Sequence, residues 1–441
     1  MNPSDAARFI RDRLPQDGLF SGHSWRISPR PLPLGQTLVN ELETLGRVLL
    51  RFNQALNRLY QHSHSGKQPG WIAEWLDRGK PSELIALQRD DSFKNELPRI
   101  IRPDLLLTEN GLSVTELDSV PGGIGLTAWL NQTYAQLGDD ASSPIGGALG
   151  MLDSFRAIFS DAPQVHVVVS DESSTYRPEM TWLAEQLNSR GNSFKIQNAS
   201  FNNPNDRDAV YRFFELYDLS NVEGHKTLFE KAQQRSIQLT PPPKPIFEEK
   251  MMFALLWNKN LRTFWHQELG EGYLNQLQKI VPYTWLLDPT PLPPQGAFPE
   301  LNLTDWNQLK TLSQKDRDLI LKVSGFSESA WGARGVSLGS DLSTAEWSLV
   351  VDAALAKSQT VPHVLQRFHK PRTISTEWFD FQTEKLIPML GRVRLCPYYF
   401  ISGKAESYQI HLGGVLATIC PADKKIIHGM KDAILAPCSV A

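Results

Sequence analysis

Besides Glu109, three carboxylates, Asp104, Glu116 and Asp118, recur at short spacing in Arg102-Pro-Asp104-Leu-Leu-Leu-Thr-Glu-Asn-Gly111-Leu-Ser-Val-Thr-Glu116-Leu-Asp118. Two apolar-alternating runs flank Glu109-Asn110-Gly111, which predicts a β-hairpin. A two-residue Asn110-Gly111 turn would set Leu105 opposite Glu116. A three-residue loop sets Asp104 opposite Glu116 and Arg102 opposite Asp118, and Gly111 suits its left-handed third position. Glu116 and Asp118 share a face because strand side chains alternate. Converging carboxylates repel one another. Mg²⁺, which takes a few carboxylates together with substrate phosphates, would relieve that repulsion. A solvated strand face balanced by Arg102 would do so as well, and spacing alone leaves both open.

A glycine turn follows, Ser119-Val-Pro-Gly122-Gly123-Ile-Gly125, and then a helix predicted over Ala128–Leu137. Glycines ahead of a helix leave backbone N–H groups free for an anion. Ser119, Gly122 and Gly123 are therefore candidates for holding a substrate carboxylate, with a plain tight turn as the alternative. Gly123-Ile-Gly125-Leu-Thr-Ala128 also fits the dinucleotide pattern G-x-G-x-x-A. That pattern needs a parallel strand–helix–strand unit, and here a hairpin strand precedes it.

The third candidate is Leu319-Ile-Leu-Lys322-Val-Ser-Gly325, continuing through Gly332, Arg334 and Gly335. A lysine ending an apolar strand is unusual, because an unpaired buried ammonium is costly. With the glycine-rich stretch and Arg334 it makes a polyphosphate cradle: charge from side chains, directed donors from backbone. No Walker A pattern is present. Gly335-Val-Ser337-Leu-Gly339 matches the esterase elbow G-x-S-x-G, with His411 or His428 downstream, so a serine hydrolase on Ser337 is an alternative. The elbow wants an apolar strand running straight into its serine, whereas a glycine-broken loop precedes this one. His363, His369, His411 and His428 lack metal-ligand spacing and default to structural roles.

These residues need elements to position them. Leucines and Phe52 recurring from Leu38 to Leu59 predict a long amphipathic helix. Val165–Val169 reads as a strand, Pro178–Arg190 as a helix and Ser193–Gln197 as a second strand, making a small α/β layer. Tyr211–Tyr217 and Lys226–Gln238 continue the alternation. Thr240-Pro-Pro-Pro-Lys-Pro245 is a stiff extended linker and the best boundary candidate. Asp288–Pro299 reads as a surface loop. Phe247–Leu269 and Thr344–Lys357 are predicted helical. Asp318–Val323, Pro362–Phe368, Arg392–Ile401 and Tyr408–Ile419 are predicted strands. The expected organisation is a helical region over 1–98, the hairpin with a small α/β domain over 99–245, and an α+β domain over 246–441.

The chain has 441 residues, 45 Lys+Arg and 48 Asp+Glu, for a net charge of −3. A near-neutral balance leaves no electrostatic footprint for nucleic acid or an anionic membrane, so the expected partner is small. The longest strongly apolar run, Met251–Trp257, falls short of the roughly 18 residues a membrane span needs. Charges in the first residues exclude a signal-peptide pattern. Cys396, Cys420 and Cys438 form no CxxC pair and read as buried thiols of a cytoplasmic protein.

Taken together, the pieces resemble the ATP-grasp superfamily in the circularly permuted form of glutathionylspermidine synthases, synthetase part only. RPDLLLTENGLSVTELDSVPGG resembles that family's metal-binding segment. Trp257-Asn258-Lys259-Asn260-Leu261 resembles its helix with an N-K pair, and LILKVSGFSESAWGARGV its strand lysine and glycine-rich phosphate lid. Val364-Leu365-Gln366-Arg367-Phe368 resembles the hinge strand at the adenine pocket. GRVRLCPYYF resembles a later strand carrying a phosphate-facing arginine, Arg394. Here the carboxylate segment precedes the lysines, hence the permuted reading.

The resemblance covers roughly residues 100–130 and 246–438, by motif placement. It implies a mixed α+β and α/β fold with an ATP-grasp-like core, and an ATP-dependent ligase joining a small-molecule carboxylate to an amine or thiol through an acyl phosphate. ATP and Mg²⁺ are the implied cofactors. Lys259 and Lys322 would bind the α/β-phosphates and Arg394 the γ-phosphate. Gly325, Gly332, Arg334 and Gly335 would close over the phosphates, and Gln366 and Phe368 would line the nucleotide. Asp104, Glu116 and Asp118 would hold Mg²⁺. Two departures stand out: Asp118 replaces the family's usual Asn, and Arg367 stands where an acid often meets the ribose. The second motivates the alternative of a catalytically silent ATP-grasp-like binding or scaffold protein.

Overall fold

A computed structural model describes residues 1–15, 24–138, 143–159, 161–330, 334–405, 407–427 and 432–441. Among them the strands are, in chain order, β1 (Leu32–Leu34), β2 (Ile100–Thr108), β3 (Gly111–Asp118), β4 (Val165–Val169) and β5 (Phe194–Gln197). Next come β6 (Ala209–Phe213), β7 (Gln238–Thr240), β8 (Thr284–Leu286), β9 (Leu319–Val323) and β10 (Val336–Leu338). The last are β11 (His363–Arg367), β12 (Thr373–Asp380), β13 (Lys385–Ser402), β14 (Gln409–Pro421) and β15 (Ile434–Val440). Helices are α1 (Pro3–Asp12), α2 (Gln36–His64), α3 (Trp71–Asp77), α4 (Ser82–Arg89), α5 (Ile124–Ala135) and α6 (Gly150–Ala157). After them come α7 (Arg177–Asn188), α8 (His225–Gln233), α9 (Met251–Trp257), α10 (Arg262–Ile280) and α11 (Thr344–Ala356).

The chain divides into two compact units, each built from separated segments. The first comprises Met1–Leu50, Asp90–Pro242 and Lys370–Ala441; the second comprises Arg51–Arg89 and Pro243–His369. The break at Pro242/Pro243 falls inside the expected Pro-rich linker, but residues 240–245 are buried rather than exposed. The units also cut across the three consecutive segments expected from the sequence. Segment 51–89 counts with 243–369, and 370–441 counts with the hairpin.

The first unit holds two sheets. Seven strands form the larger one in the order β1-β15-β14-β13-β2-β3, with β12 on β13. Only β1 against β15 is parallel within it. The smaller sheet, β5-β4-β6-β7, is parallel throughout, which confirms the α/β layer read around Val165–Gln197. Its two inner strands, β4 and β6, are buried at every position, as strands covered on both faces are. Phe155, Phe194, Tyr211 and Phe400 bring their rings together in the unit's core. Buried apolar area of this kind contributes about 25 cal/mol per Å² toward the fold.

The second unit carries an antiparallel sheet, β10-β9-β11-β8. Leu319 and Leu321 of β9, Leu365 of β11 and Trp285 of β8 face a core shared with Trp306 and with Trp347 of α11. Alternation then puts Lys322 on the opposite face of the sheet. The capping box of Ser343 and Glu346 starts α11 at the predicted residue. The expected Phe247–Leu269 helix is instead broken at Asn258, which leaves helical geometry to cap the backbone N–H of Asn260.

Candidate functional site

In the first unit, Arg102 pairs with Asp118 and Asp104 with Glu116 across β2 and β3, the register the sequence favoured. The route to it differs. Glu109 and Asn110 alone form the loop, Thr108 pairs with Gly111, and Gly111 has φ +104°. A bulge between Asp104 and Leu105 then supplies the missing residue, with Thr115 as the extra residue between the Glu116 and Val114 pairs. A two-residue loop plus one bulge places the carboxylates where the three-residue loop would.

The three carboxylates are gathered, and so are two guanidinium groups. Arg102 donates from Nη1 to Asp104 and from Nη2 to Asp118 Oδ2 at 2.5 Å. Arg394 Nη1 donates to Asp104 Oδ2 at 2.8 Å, and Cys396 Sγ donates to Asp104 Oδ1 at 3.4 Å. The backbone N–H of Val120 donates to Asp118 Oδ1 at 2.8 Å. Burial acts to raise the Asp104 carboxyl, but Arg102 and Arg394 outweigh it and hold it below its ordinary range. Burial raises Asp118, with Glu116 adding to the rise against the pull of Arg102. Burial also pushes the Cys396 thiol up to about 11, so it is a neutral core thiol.

This arrangement does not fit Mg²⁺. Both oxygens of Asp104 and of Asp118 are engaged by hydrogen-bond donors, and among the described residues no group of three His, Cys, Asp or Glu is placed to hold a metal ion. The arginines have already removed the repulsion that a cation would relieve. Arg394, expected at the γ-phosphate, is part of this network.

The glycine turn is occupied too. Gly123, at φ +86°, is the N-cap of α5. Glu179, on α7, accepts from the Gly125 N–H at 2.9 Å, and the nearby N–H groups of Gly123, Ile124 and Leu126 favour its charged form. The anion at this helix N-terminus is thus an internal one, in the position the sequence reading gave to a substrate carboxylate. A Cβ on Gly125 would lie 2.6 Å from Glu179 Cγ, and one on Gly123 would lie 2.4 Å from Tyr398 Oη. Tyr398 Oη itself donates to the Gly122 carbonyl at 2.8 Å. Ser119 Oγ is buried and makes no hydrogen bond. A dinucleotide reading fails here, because the preceding strand is antiparallel and the N-terminus is filled.

In the second unit, Lys322 lies on β9 with 5% of its surface exposed. Its Nζ donates to Gln366 Oε1 at 2.8 Å. Gln366 Nε2 donates to Thr284 Oγ1 at 3.0 Å. Arg367 turns to the Glu300 carbonyl at 2.6 Å, and Phe368 is half-buried. Lys259 is exposed on the turn after α9. Gly325 lies against the Glu248 carbonyl and Gly335 against that of Ser329. Arg334 is exposed and paired with Glu328 at 2.9 Å. Gly332 lies outside the described residues, as does His428. Ser337 sits inside β10 opposite Leu321, not at a strand-to-helix turn, so no nucleophile elbow forms.

Sequence reasoning missed Glu179, Thr284 and a fully buried pair, Lys80 with Glu249 at 2.5 Å. Glu249 also accepts from Ser324 Oγ at the start of the glycine-rich stretch. The one available signal was the Gly123–Gly125 turn, which calls for an anion without naming it.

No family profile matches the chain, and no curated protein matches it in sequence. Among solved structures it is similar to a glutathione synthetase-like effector from Globodera pallida in apo form, at 12% identity and a TM-score of 0.58. That match covers 100% of this chain and 96% of the other. A Methylobacillus flagellatus KT protein, provisionally named a gamma-glutamylcysteine synthetase, matches over 88% of each chain at 12% identity and a TM-score of 0.41, and carries no argument. The chain has a mixed α/β fold like that of the glutathione synthetase-like effector. No helix among the described residues is long and apolar enough to cross a membrane.

Proposed function

We propose that the chain is an ATP-dependent ligase of the ATP-grasp type, in permuted order, joining a small-molecule carboxylate to an amine or thiol. The observation that carries this reading is Lys322: an ammonium buried on a sheet face, with Nζ donating to the Gln366 amide oxygen. Burying such a charge is costly, and a polyphosphate partner gives it a use. The fold likeness to a glutathione synthetase-like protein supports it.

A substrate carboxylate oxygen attacks the γ-phosphorus, and the bond to the β-phosphate oxygen breaks, releasing ADP. The amine or thiol then attacks the acyl carbon, loses its proton and expels phosphate. Positioning and charge neutralisation do most of the work in such transfers. Lys322 and the exposed Lys259 neutralise the nucleotide's phosphates, the backbone N–H groups of Gly325 and Gly335 donate to them, and Gln366 and Phe368 line the nucleotide. Asp104, Glu116 and Asp118, as paired, offer Mg²⁺ no site, and no step is routed through it.

Calorimetric titration with ATP, with and without Mg²⁺, tests the reading. Saturable binding that is lost in Lys322→Ala, followed by ADP release with some mixture of acids, amines and thiols, is the expected result. No ATP binding by folded wild-type protein would overturn it. The arginine-satisfied carboxylates favour one second reading, a binding or scaffold protein that keeps the fold without turnover. It predicts ATP binding with no ADP release under any such mixture.

A further inference from the structure

The hydrogen bonds around Lys322 run in one direction, and their origin is a threonine. Thr284 Oγ1 donates its single proton to the Pro282 carbonyl at 2.8 Å. Its oxygen is then left as an acceptor, and Gln366 Nε2 donates to it at 3.0 Å. The far end of the amide must therefore be Oε1, which accepts from Lys322 Nζ at 2.8 Å. Thr284 and Gln366 are each 2% exposed, so water does not substitute for either bond. A flipped amide would set an NH₂ against an ammonium and an oxygen against the Thr284 oxygen. Both contacts would be repulsive and both bonds lost.

The backbone makes this arrangement available. Thr284 stands directly opposite Gln366 across β8 and β11, and Lys322 is on β9, the strand on the other side of β11. The side chain of a β-branched threonine on a strand is restricted at χ1, so its Oγ1 has few positions to occupy. We propose that Thr284 is a positioning residue: it orients the Gln366 amide so that an oxygen always faces Lys322, keeping the ammonium placed for a polyphosphate. The proposal rests on the ATP reading for its use, but not for its geometry.

Two variants separate this role from simple packing. Thr284→Val keeps the shape and removes the hydroxyl; Thr284→Ser restores it. Thr284→Val should weaken ATP binding by up to about tenfold, the upper end for a lost neutral hydrogen bond, and Thr284→Ser should bind like wild type. In a Gln366→Glu background the same Thr284→Val change should have little effect, because a carboxylate presents oxygen at either end. Rates of Lys322 acetylation by acetic anhydride, followed by mass spectrometry, give a readout that needs no nucleotide. They should rise in Thr284→Val and not in Thr284→Ser.

Unchanged labelling of Lys322 in Thr284→Val would overturn the positioning role, whatever the protein binds. An equal loss of ATP binding with Gln366 intact and in the Gln366→Glu background would also overturn it. Absence of ATP binding in wild type, with the labelling differences intact, would instead remove the ATP reading and leave the orientation of Lys322 by Thr284 standing.

Discussion

The carboxylate of Glu179 accepts a hydrogen bond from the Gly125 N–H at 2.9 Å, so one helix of the first unit caps another. Glu179 is fully buried beside Tyr176, Tyr211 and Tyr398, whose hydroxyls share its electrostatic surroundings together with Asp118. Burial pushes its carboxyl from an ordinary 4.5 up to about 7, and the N–H donors only moderate the rise. Between those values the folded chain holds a proton that the unfolded chain has lost. The contribution to stability is therefore full below the ordinary carboxylate value and is lost as pH rises through about 7. It amounts to about 3 kcal/mol. Denaturant titrations from pH 4 to 8.5 should show this decline in wild type and not in Glu179→Gln. Parallel curves would show that Glu179 does not titrate in this range.

Arg102 bridges two carboxylates that lie mostly out of water, with side-chain exposures of 10% for Asp104 and 18% for Asp118. Arg102→Ala should destabilise the protein by about 3–5 kcal/mol, because it leaves buried charge uncompensated. Asp104, held low by its arginines, contributes stability above its unfolded value that is lost as pH falls through its folded one. Removal of Arg102 weakens that dependence. A divalent cation should raise the melting temperature of Arg102→Ala and leave wild type unmoved. A wild-type response to Mg²⁺ alone, equal to that of the variant, would show that the arginines do not close the carboxylates to metal.

Lys80 and Glu249 form a salt bridge at 2.5 Å with neither side chain exposed. Lys80→Met should destabilise by about 3–5 kcal/mol, and Lys80→Met with Glu249→Leu should recover much of it, since an apolar pair of similar volume carries no desolvation penalty. Chemical denaturation of the three proteins measures this directly. Equal losses in the single and double variants would mean that Lys80 acts through packing, not charge.

Ser337 lies in the middle of a strand, paired with Leu321, without the strained turn that exposes a nucleophile. A fluorophosphonate probe should not label it above background. Labelling that Ser337→Ala abolishes would revive the hydrolase reading.

Much of this was legible in the sequence where the physics is local. Apolar runs marked β4, β9 and β11, alternation marked the hairpin, and the helix read from Thr344 starts where α11 does. The Asp104–Glu116 pairing was legible as well, although its route through a two-residue loop and a bulge was not, because a bulge trades one turn geometry for another at the same register. The break between the compact units falls within the Pro-rich stretch, which is buried where the sequence suggested an extended linker.

By itself the sequence determined which residues carry charge, which strands they ride on and which neighbours they face within a hairpin. Only the tertiary structure decided what answers those charges. Glu179 reaches Gly125 across 54 positions, Gln366 reaches Thr284 across 82, and Lys80 reaches Glu249 across 169. Such pairs are set by how elements pack, and alternation or turn chemistry has no reach over those separations. A buried charge demands a partner from wherever the fold can bring one, so the demand could be read from the chain while the partner's identity waited for the packing.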